Sequence, residues 1–174
     1  MTPLLALNHV SKRFGGLTAV DDVSMSIRQG EIYGLIGPNG AGKTTCFNLI
    51  TGLYRADAGE FRLSGQRYRP QAIDKVAQAG IARTFQNLRL FNEMSVLENV
   101  MVGCHVRTRN GLWAAIARHR RAREEEQAVR DKSHALLEYV GIGQFAHYRA
   151  GDLAYGHQRR REIARALATE PRLL

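Results

Sequence analysis

Gly37-Pro38-Asn39-Gly40-Ala41-Gly42-Lys43-Thr44-Thr45 fills the template G-x-x-x-x-G-K-[ST], and its reading decides the fold. The run follows a β-like stretch, Glu31 to Ile36, and precedes the helix-compatible Cys46-Phe47-Asn48-Leu49-Ile50. Glycines let the backbone fold back so that successive N–H groups face inward and form a nest for phosphate oxygens. Asn39, Gly40, Ala41, Gly42, Lys43, Thr44 and Thr45 are therefore the expected phosphate-binding residues. Lys43 adds a point charge toward the β- and γ-phosphates, Thr44 offers a hydroxyl to Mg²⁺, and the helix that opens there turns its positive dipole end toward the same anion. The expectation is an α/β protein that holds a nucleoside triphosphate.

The chain of 174 residues is long enough for one domain, or a domain with a subdomain. Hydrophobic content of 44% and charged content of 24% are those of an ordinary globular protein. Cys46 and Cys104 lie far apart without a C-x-x-C spacing, and no histidine belongs to an H-E-x-x-H run. No protein-bound metal and no disulfide framework are expected. The N-terminus lacks a basic region followed by an apolar core and a cleavage site, which points to synthesis and retention in the cytoplasm. Lys and Arg number 25 against 16 Asp and Glu, a net charge of +9. That excess invites nucleic acid as a partner, yet phosphate ligands, an anionic membrane face or a missing acidic segment explain it equally.

Two strand-like stretches, Leu5 to Val10 and Ala19 to Ile27, precede the loop and join through Gly15-Gly16. After the loop helix, Ala58-Gly59-Glu60 and Ser64-Gly65-Gln66 bracket a short strand, Phe61 to Leu63. Pro70 opens a helical segment to Ala79, Gly80 stops it, and Ile81 to Phe85 reads as a strand. Ser95 with Glu98 is a capping box, followed by an apolar face of Val96, Leu97, Val100 and Met101. The mixed-sign run Arg118 to Glu126 reads as the solvated face of a helix whose other face carries Leu136, Leu137 and Val140. Gly141 to Gly151 is a loop, and Gln158 to Thr169 a last helix ended by Pro171.

Together these segments resemble the nucleotide-binding subunit of an ATP-binding-cassette (ABC) transporter. Phe14, just before Gly15-Gly16, matches that family's adenine-stacking aromatic. Gln86, in Thr84-Phe85-Gln86-Asn87-Leu88, matches its Q-loop glutamine, which reaches Mg²⁺ and the attacking water. Leu153-Ala154-Tyr155-Gly156-His157-Gln158 matches its signature before a helix, whose N-terminal end faces the γ-phosphate held by a second subunit. The order and spacing of these segments carry the resemblance; each apart from the phosphate loop is weak alone. The general signature is L-S-G-G-Q, so Ala154 replaces the serine, Tyr155 the first glycine and His157 the glutamine. One hydroxyl to the γ-phosphate is thereby lost, while the backbone amides of Tyr155 and Gly156 remain. The L-A-Y-G form, the run Arg83 to Phe91 and the basic insertion after Cys104 are similar to the importer subunits for branched-chain amino acids, the LivG type.

The resemblance implies a P-loop NTPase of the ABC-cassette kind, with an N-terminal antiparallel β part and a helical subdomain. Residues 1–93 with 157–174 would form the nucleotide-binding core, partly RecA-like, and residues 94–156 the helical subdomain with the signature. ATP and Mg²⁺ are the implied cofactors. Lys43 and Gln86 are the implied catalytic residues, and Thr44 and Gln86 the metal contacts. Phe14, the loop residues 39–45, Ala154, Tyr155, Gly156 and His157 are the implied nucleotide contacts. Implied partners are a second ATP-binding subunit in a head-to-tail dimer, two transmembrane permease subunits and, indirectly, a periplasmic solute-binding protein, with no nucleic acid. The implied location is the cytoplasmic face of the inner membrane. The family's next element, a buried strand ending in Asp-Glu (Walker B), has no match before Leu174, so the chain reads as a fragment lacking the C-terminal strands, binding ATP with little hydrolysis. The alternative is a soluble ABC ATPase acting on nucleic acid or ribosomes. A small-molecule kinase or GTPase is disfavoured by the strands ahead of the loop and the lack of an N-K-x-D motif.

Overall fold

The computed structural model describes residues 2–70, 72–84, 91–104 and 120–174. Gln86 and most of the basic insertion after Cys104 lie outside the described residues. Contacts divide the chain into two units, Met1–Ala79 and Gly80–Leu174.

The first unit is built on a four-stranded antiparallel sheet in the order β2-β1-β3-β4. Strands β1 (Leu5–Phe14) and β2 (Leu17–Ile27) form a hairpin closed by Gly15-Gly16, with Phe14 paired to Leu17. Leu5 and Leu7, two apart, are at most 1% exposed with Ala6 between them at 8%, yet the next buried position is Val10 and not His9. The slip has a local cause: the register shifts between Leu7 and Val10, where His9 adopts φ 52°. Such a bulge turns the next side chain back to the inner face. Opposite it, Asp22 stands at φ 48°, and its carboxylate meets His9 Nδ1 at 2.8 Å.

On the other edge of β1 lies β3 (Ala58–Leu63), which turns through Ser64-Gly65 into β4 (Gln66–Tyr68). Both turn residues have positive φ, 51° and 80°, the conformation that matches the twist of a two-residue hairpin. The three-residue β4 was too short to stand out in the sequence. Helix α1 (Lys43–Ile50) follows the phosphate loop and buries Cys46, Leu49 and Ile50. Helix α2 (Ile73–Gln78) occupies the middle of the segment expected from Pro70 to Ala79.

Glu31 to Ile36, expected as the strand leading into the loop, is a correction: no strand is assigned there. Ile32 and Ile36 are almost wholly exposed. A strand exists only through ladder bonds to a neighbour, and among the described residues this stretch pairs with none.

In the second unit, α3 (Val96–Cys104), α4 (Arg120–Tyr139) and α5 (Tyr155–Ala168) surround a core of Val96, Val100, Leu137, Ile142 and Ala164. The capping box forms as expected: the Glu98 amide donates to Ser95 Oγ at 3.1 Å, and the Ser95 amide donates to Glu98 Oε2 at 2.7 Å. Helix α3 lies close against α5 at Gly103, where a Cβ would stand 2.4 Å from the Arg165 carbonyl oxygen. Helix α5 starts at Tyr155, ahead of the expected Gln158. Of the strand expected from Ile81 to Phe85, the described part makes one parallel bridge, Ile81 to Leu173, with the Ala82 amide donating to Leu173 O at 2.9 Å.

Candidate functional site

The phosphate loop is shaped by one close backbone approach. Gly42 has φ 81°, and a Cβ there would stand 2.1 Å from the Ala19 carbonyl oxygen on β2. Only glycine satisfies both the left-handed backbone and that contact. Gly40 has φ 87° but open space around its Cβ position. Gly42 is also the N-cap of α1, with no side-chain cap bond. The first intrahelical bond runs from the Cys46 amide to Gly42 O at 2.8 Å. By helix geometry the amides of Lys43, Thr44 and Thr45 precede the ladder. The loop thus gathers backbone donors at the positive end of a helix dipole.

Lys43 lies across this nest. Its Nζ donates to the Gly37 and Pro38 carbonyls, each at 2.6 Å. Two of its three donors fix the ammonium over the loop, and an ammonium carries a third. Thr44 is exposed at the first turn. Among the described residues no group of three or more His, Cys, Asp or Glu is placed to hold a metal ion. A single hydroxyl fits Mg²⁺ that arrives with phosphate oxygens, since that ion takes few protein ligands when phosphates supply the rest. Cys46, next to the loop, is buried, and burial pushes its thiol pKa up. It is a packing residue rather than a nucleophile.

Phe14 ends β1 and is 42% exposed. Tyr54 meets it edge-on, centroids 5.2 Å apart at 72°, and Lys12 Nζ stands 5.3 Å from the ring centre. Lys12 is in turn held by Asp57 at 2.8 Å, and the Asp57 carboxylate also accepts the Arg13 amide at 2.7 Å. The Lys12 ammonium and then the Arg13 amide hold the Asp57 carboxyl below its ordinary range. Tyr54 and Lys12 thus pack against the aromatic, and Asp57 holds Lys12 in place. Sequence reading missed all three, because nothing in the spacing of Lys12, Tyr54 and Asp57 marks the long-range pairing of β1 with β3 that sets Asp57 beside Lys12.

The turn Leu153 to His157 belongs to the second unit. Ala154 is the N-cap of α5 and supplies no side-chain bond. The His157 and Gln158 amides both donate to Ala154 O, at 2.9 and 3.0 Å. The Tyr155 and Gly156 amides precede them, and a Cβ at Gly156 would meet nothing within 4 Å. His157 packs its ring on Phe145 at 4.8 Å, so it points back into its own unit. Gln158 donates from Nε2 to Leu153 O at 2.8 Å, holding the turn. This is a second helix start with free backbone donors and no capping side chain, suited to an anion.

A family model described as ABC transporter matches residues 20–174. The high-affinity branched-chain amino acid transport ATP-binding protein LivG of Salmonella typhimurium is 43% identical over 172 residues, covering 99% of this chain and 68% of that protein. Among solved structures, the ADP conformation of MJ1267, an ATP-binding cassette of an ABC transporter, superimposes with a TM-score of 0.81 at 32% identity. It covers 98% of this chain and 66% of its own. The dimeric structure of MJ0796, a bacterial ABC transporter cassette, gives 0.77 at 26% identity, covering 96% of this chain and 70% of its own. The chain therefore spans about two thirds of the length of these relatives.

Proposed function

The chain belongs to the ABC transporter family, and from that premise we propose that it is the ATP-binding subunit of an importer for a small solute, branched-chain amino acids in the first instance. The observation that carries this reading is the phosphate loop, with Gly42 wedged on Ala19 and Lys43 spanning the Gly37 and Pro38 carbonyls. The substrate class rests on the likeness to LivG.

In this reading Phe14 stacks on adenine, using its exposed face while Lys12 and Tyr54 hold it in place. The amides of residues 39–45 receive the phosphates, and Lys43 neutralises the β- and γ-oxygens. Thr44 contributes its hydroxyl to Mg²⁺, which when bound offsets phosphate charge; Gln86 is assigned the second contact and the orientation of water. Ala154, Tyr155, Gly156 and His157 form the turn that meets the γ-phosphate held by a second ATP-binding subunit in a head-to-tail dimer. Two permease subunits and, through them, a solute-binding protein complete the assembly, with this subunit peripheral on the cytoplasmic membrane face. No helix among the described residues is long and apolar enough to cross a membrane. The domain assignment of this reading is residues 1–93 with 157–174 as core and 94–156 as helical subdomain.

In the family this chain resembles, the carboxylate of an Asp-Glu pair polarises the attacking water, and no Asp-Glu dipeptide occurs in residues 1–174. We infer that these residues alone bind ATP and turn it over slowly; hydrolysis by them at several turnovers per second contradicts that inference. The transport reading is tested by Lys43→Ala in the assembled importer. ATP-driven uptake is lost if the reading holds, and retained uptake refutes it.

A further inference from the structure

Within the first unit, between the C-terminal end of α1 and the β3–β4 hairpin, lies an open cavity of about 590 Å³. That volume falls in the range of small-molecule sites, roughly 300–1,000 Å³. Buried Phe61 contributes apolar lining, and two further aromatics in the lining are held in place by their own contacts. Tyr54 meets Phe14 edge-on, and Tyr68 donates its hydroxyl to Ile50 O at 3.2 Å. Arg55, Arg67 and Arg69 also line the cavity. No hydrogen bond or ion pair to another described residue engages their guanidiniums. Glu60, the one carboxylate in the lining among the described residues, is already taken: it accepts from Arg62 Nε at 2.8 Å and from Asn8 Nδ2 at 3.2 Å. Arg62 and then Asn8 hold that carboxyl below its ordinary range, and Arg67 acts on it last and least. Three cations are thus gathered without a counter-charge of their own, an arrangement that repels itself until an anion joins it.

We propose that this cavity binds a small molecule carrying a phosphomonoester on a planar ring, at a site separate from the phosphate loop. A guanidinium fork matches two phosphate oxygens at once and also stacks on flat rings. Three of them supply the charge that a phosphate dianion needs. Tyr54, Tyr68 and Phe61 give the planar part an aromatic surface. Because two of these rings are fixed by contacts already made, little ordering is left to oppose binding. No lining residue belongs to the loop from Gly37 to Thr45, so this site holds or fails independently of nucleotide binding there.

The test is calorimetric titration of the whole chain with phenyl phosphate, a phosphomonoester on a single flat ring, for the parent, Lys43→Ala, Arg55→Gln, Arg69→Gln and Arg28→Gln. The three arginines are exposed, so their substitution leaves the core untouched, and circular dichroism verifies that each variant keeps the fold. The expected result is one site per chain in the parent and in Lys43→Ala alike. Arg55→Gln and Arg69→Gln each weaken it about tenfold, the loss of a hydrogen bond to a charged group. Arg28→Gln removes the same charge from an exposed position outside the cavity and leaves the affinity at the parent value. Inorganic phosphate, which has the charge without the ring, binds roughly tenfold more weakly, because it makes no stacking contact. Equal affinity for inorganic phosphate and phenyl phosphate would mean an adventitious ion only. Binding lost in Lys43→Ala and kept in Arg55→Gln and Arg69→Gln would place the ligand in the phosphate loop. A loss in Arg28→Gln as large as in Arg69→Gln would reduce the effect to net charge. Sedimentation of the chain with phosphatidylglycerol vesicles through Arg55 and Arg69, without binding of phenyl phosphate, would make a lipid surface the occupant. Each of these results overturns the proposal, as does the absence of any phenyl phosphate site.

Discussion

The α-carbon of Gly42 sits so close to Ala19 that a Cβ on it would lie 2.1 Å from the Ala19 carbonyl oxygen. This contact ties the phosphate loop to β2 and fixes where α1 begins. Gly42→Ala meets both left-handed strain, about 1–2 kcal/mol, and an overlap that forces the loop off the strand, about 1–3 kcal/mol. Gly40→Ala meets the strain alone, since nothing lies within 4 Å of its Cβ position. Thermal melts of the two variants should therefore rank Gly42→Ala well below Gly40→Ala. Equal melting temperatures would mean that the Ala19 contact does not constrain the loop.

The braced aromatic makes a prediction about which part of the nucleotide each residue reads. Base stacking on an aromatic side chain contributes about 1–3 kcal/mol, so Phe14→Ala should weaken ATP binding roughly tenfold to a hundredfold. Inorganic tripolyphosphate, which has phosphates and no base, should bind both proteins alike. Asp57→Asn removes the carboxylate that holds Lys12 and the Arg13 amide, and should weaken ATP in the same direction by a smaller factor. A loss shared equally by tripolyphosphate would place Phe14 in the scaffold instead of at the base.

The capping box gives the second unit an acid-sensitive joint. Ser95 donates to Glu98 from its hydroxyl and its amide, and these bonds hold the Glu98 carboxyl below its ordinary range. A carboxyl with a lowered folded-state pKa contributes stability that is full above the ordinary carboxylate range and is lost as pH falls through the folded value. Glu98→Gln should accordingly flatten part of the acid limb of a stability-against-pH curve. Ser95→Ala should cost about 1 kcal/mol near neutral pH. An acid limb identical in Glu98→Gln and parent would remove the capping box from the stability of this unit.

Arg161 is fully buried in α5, and its Nε and Nη1 find no hydrogen-bond partner among the described residues. Burial, then the neighbouring Arg165, pushes its pKa down to about 10. A buried cation without full pairing is destabilising relative to an apolar side chain of similar length. Arg161→Leu or Arg161→Met should raise the melting temperature of the chain. A clear drop with either would show that the guanidinium is paired in solution.

Much of this was legible because it is local. The phosphate loop, the Ser95–Glu98 capping box and the Gly15-Gly16 hairpin each depend on residues within a few positions of one another, so spacing alone announces them. What stayed hidden is long-range. The hold of Asp57 on Lys12, beside Phe14, joins residues far apart in sequence, and the bulge at His9 appears only when β1 and β2 are paired. The expected strand Glu31 to Ile36 failed for the converse reason. Its apolar residues have strand character, but a strand also needs a neighbour, which no local pattern records.

Whether the loop from Gly37 to Thr45 holds the phosphates of ATP is decided by calorimetric titration of the protein with Mg-ATP. The expected result is one site per chain, weakened roughly tenfold to a hundredfold by Lys43→Ala through loss of charge-assisted bonds, with the fold unchanged by circular dichroism. ATP binding of the same affinity in Lys43→Ala and parent would contradict it.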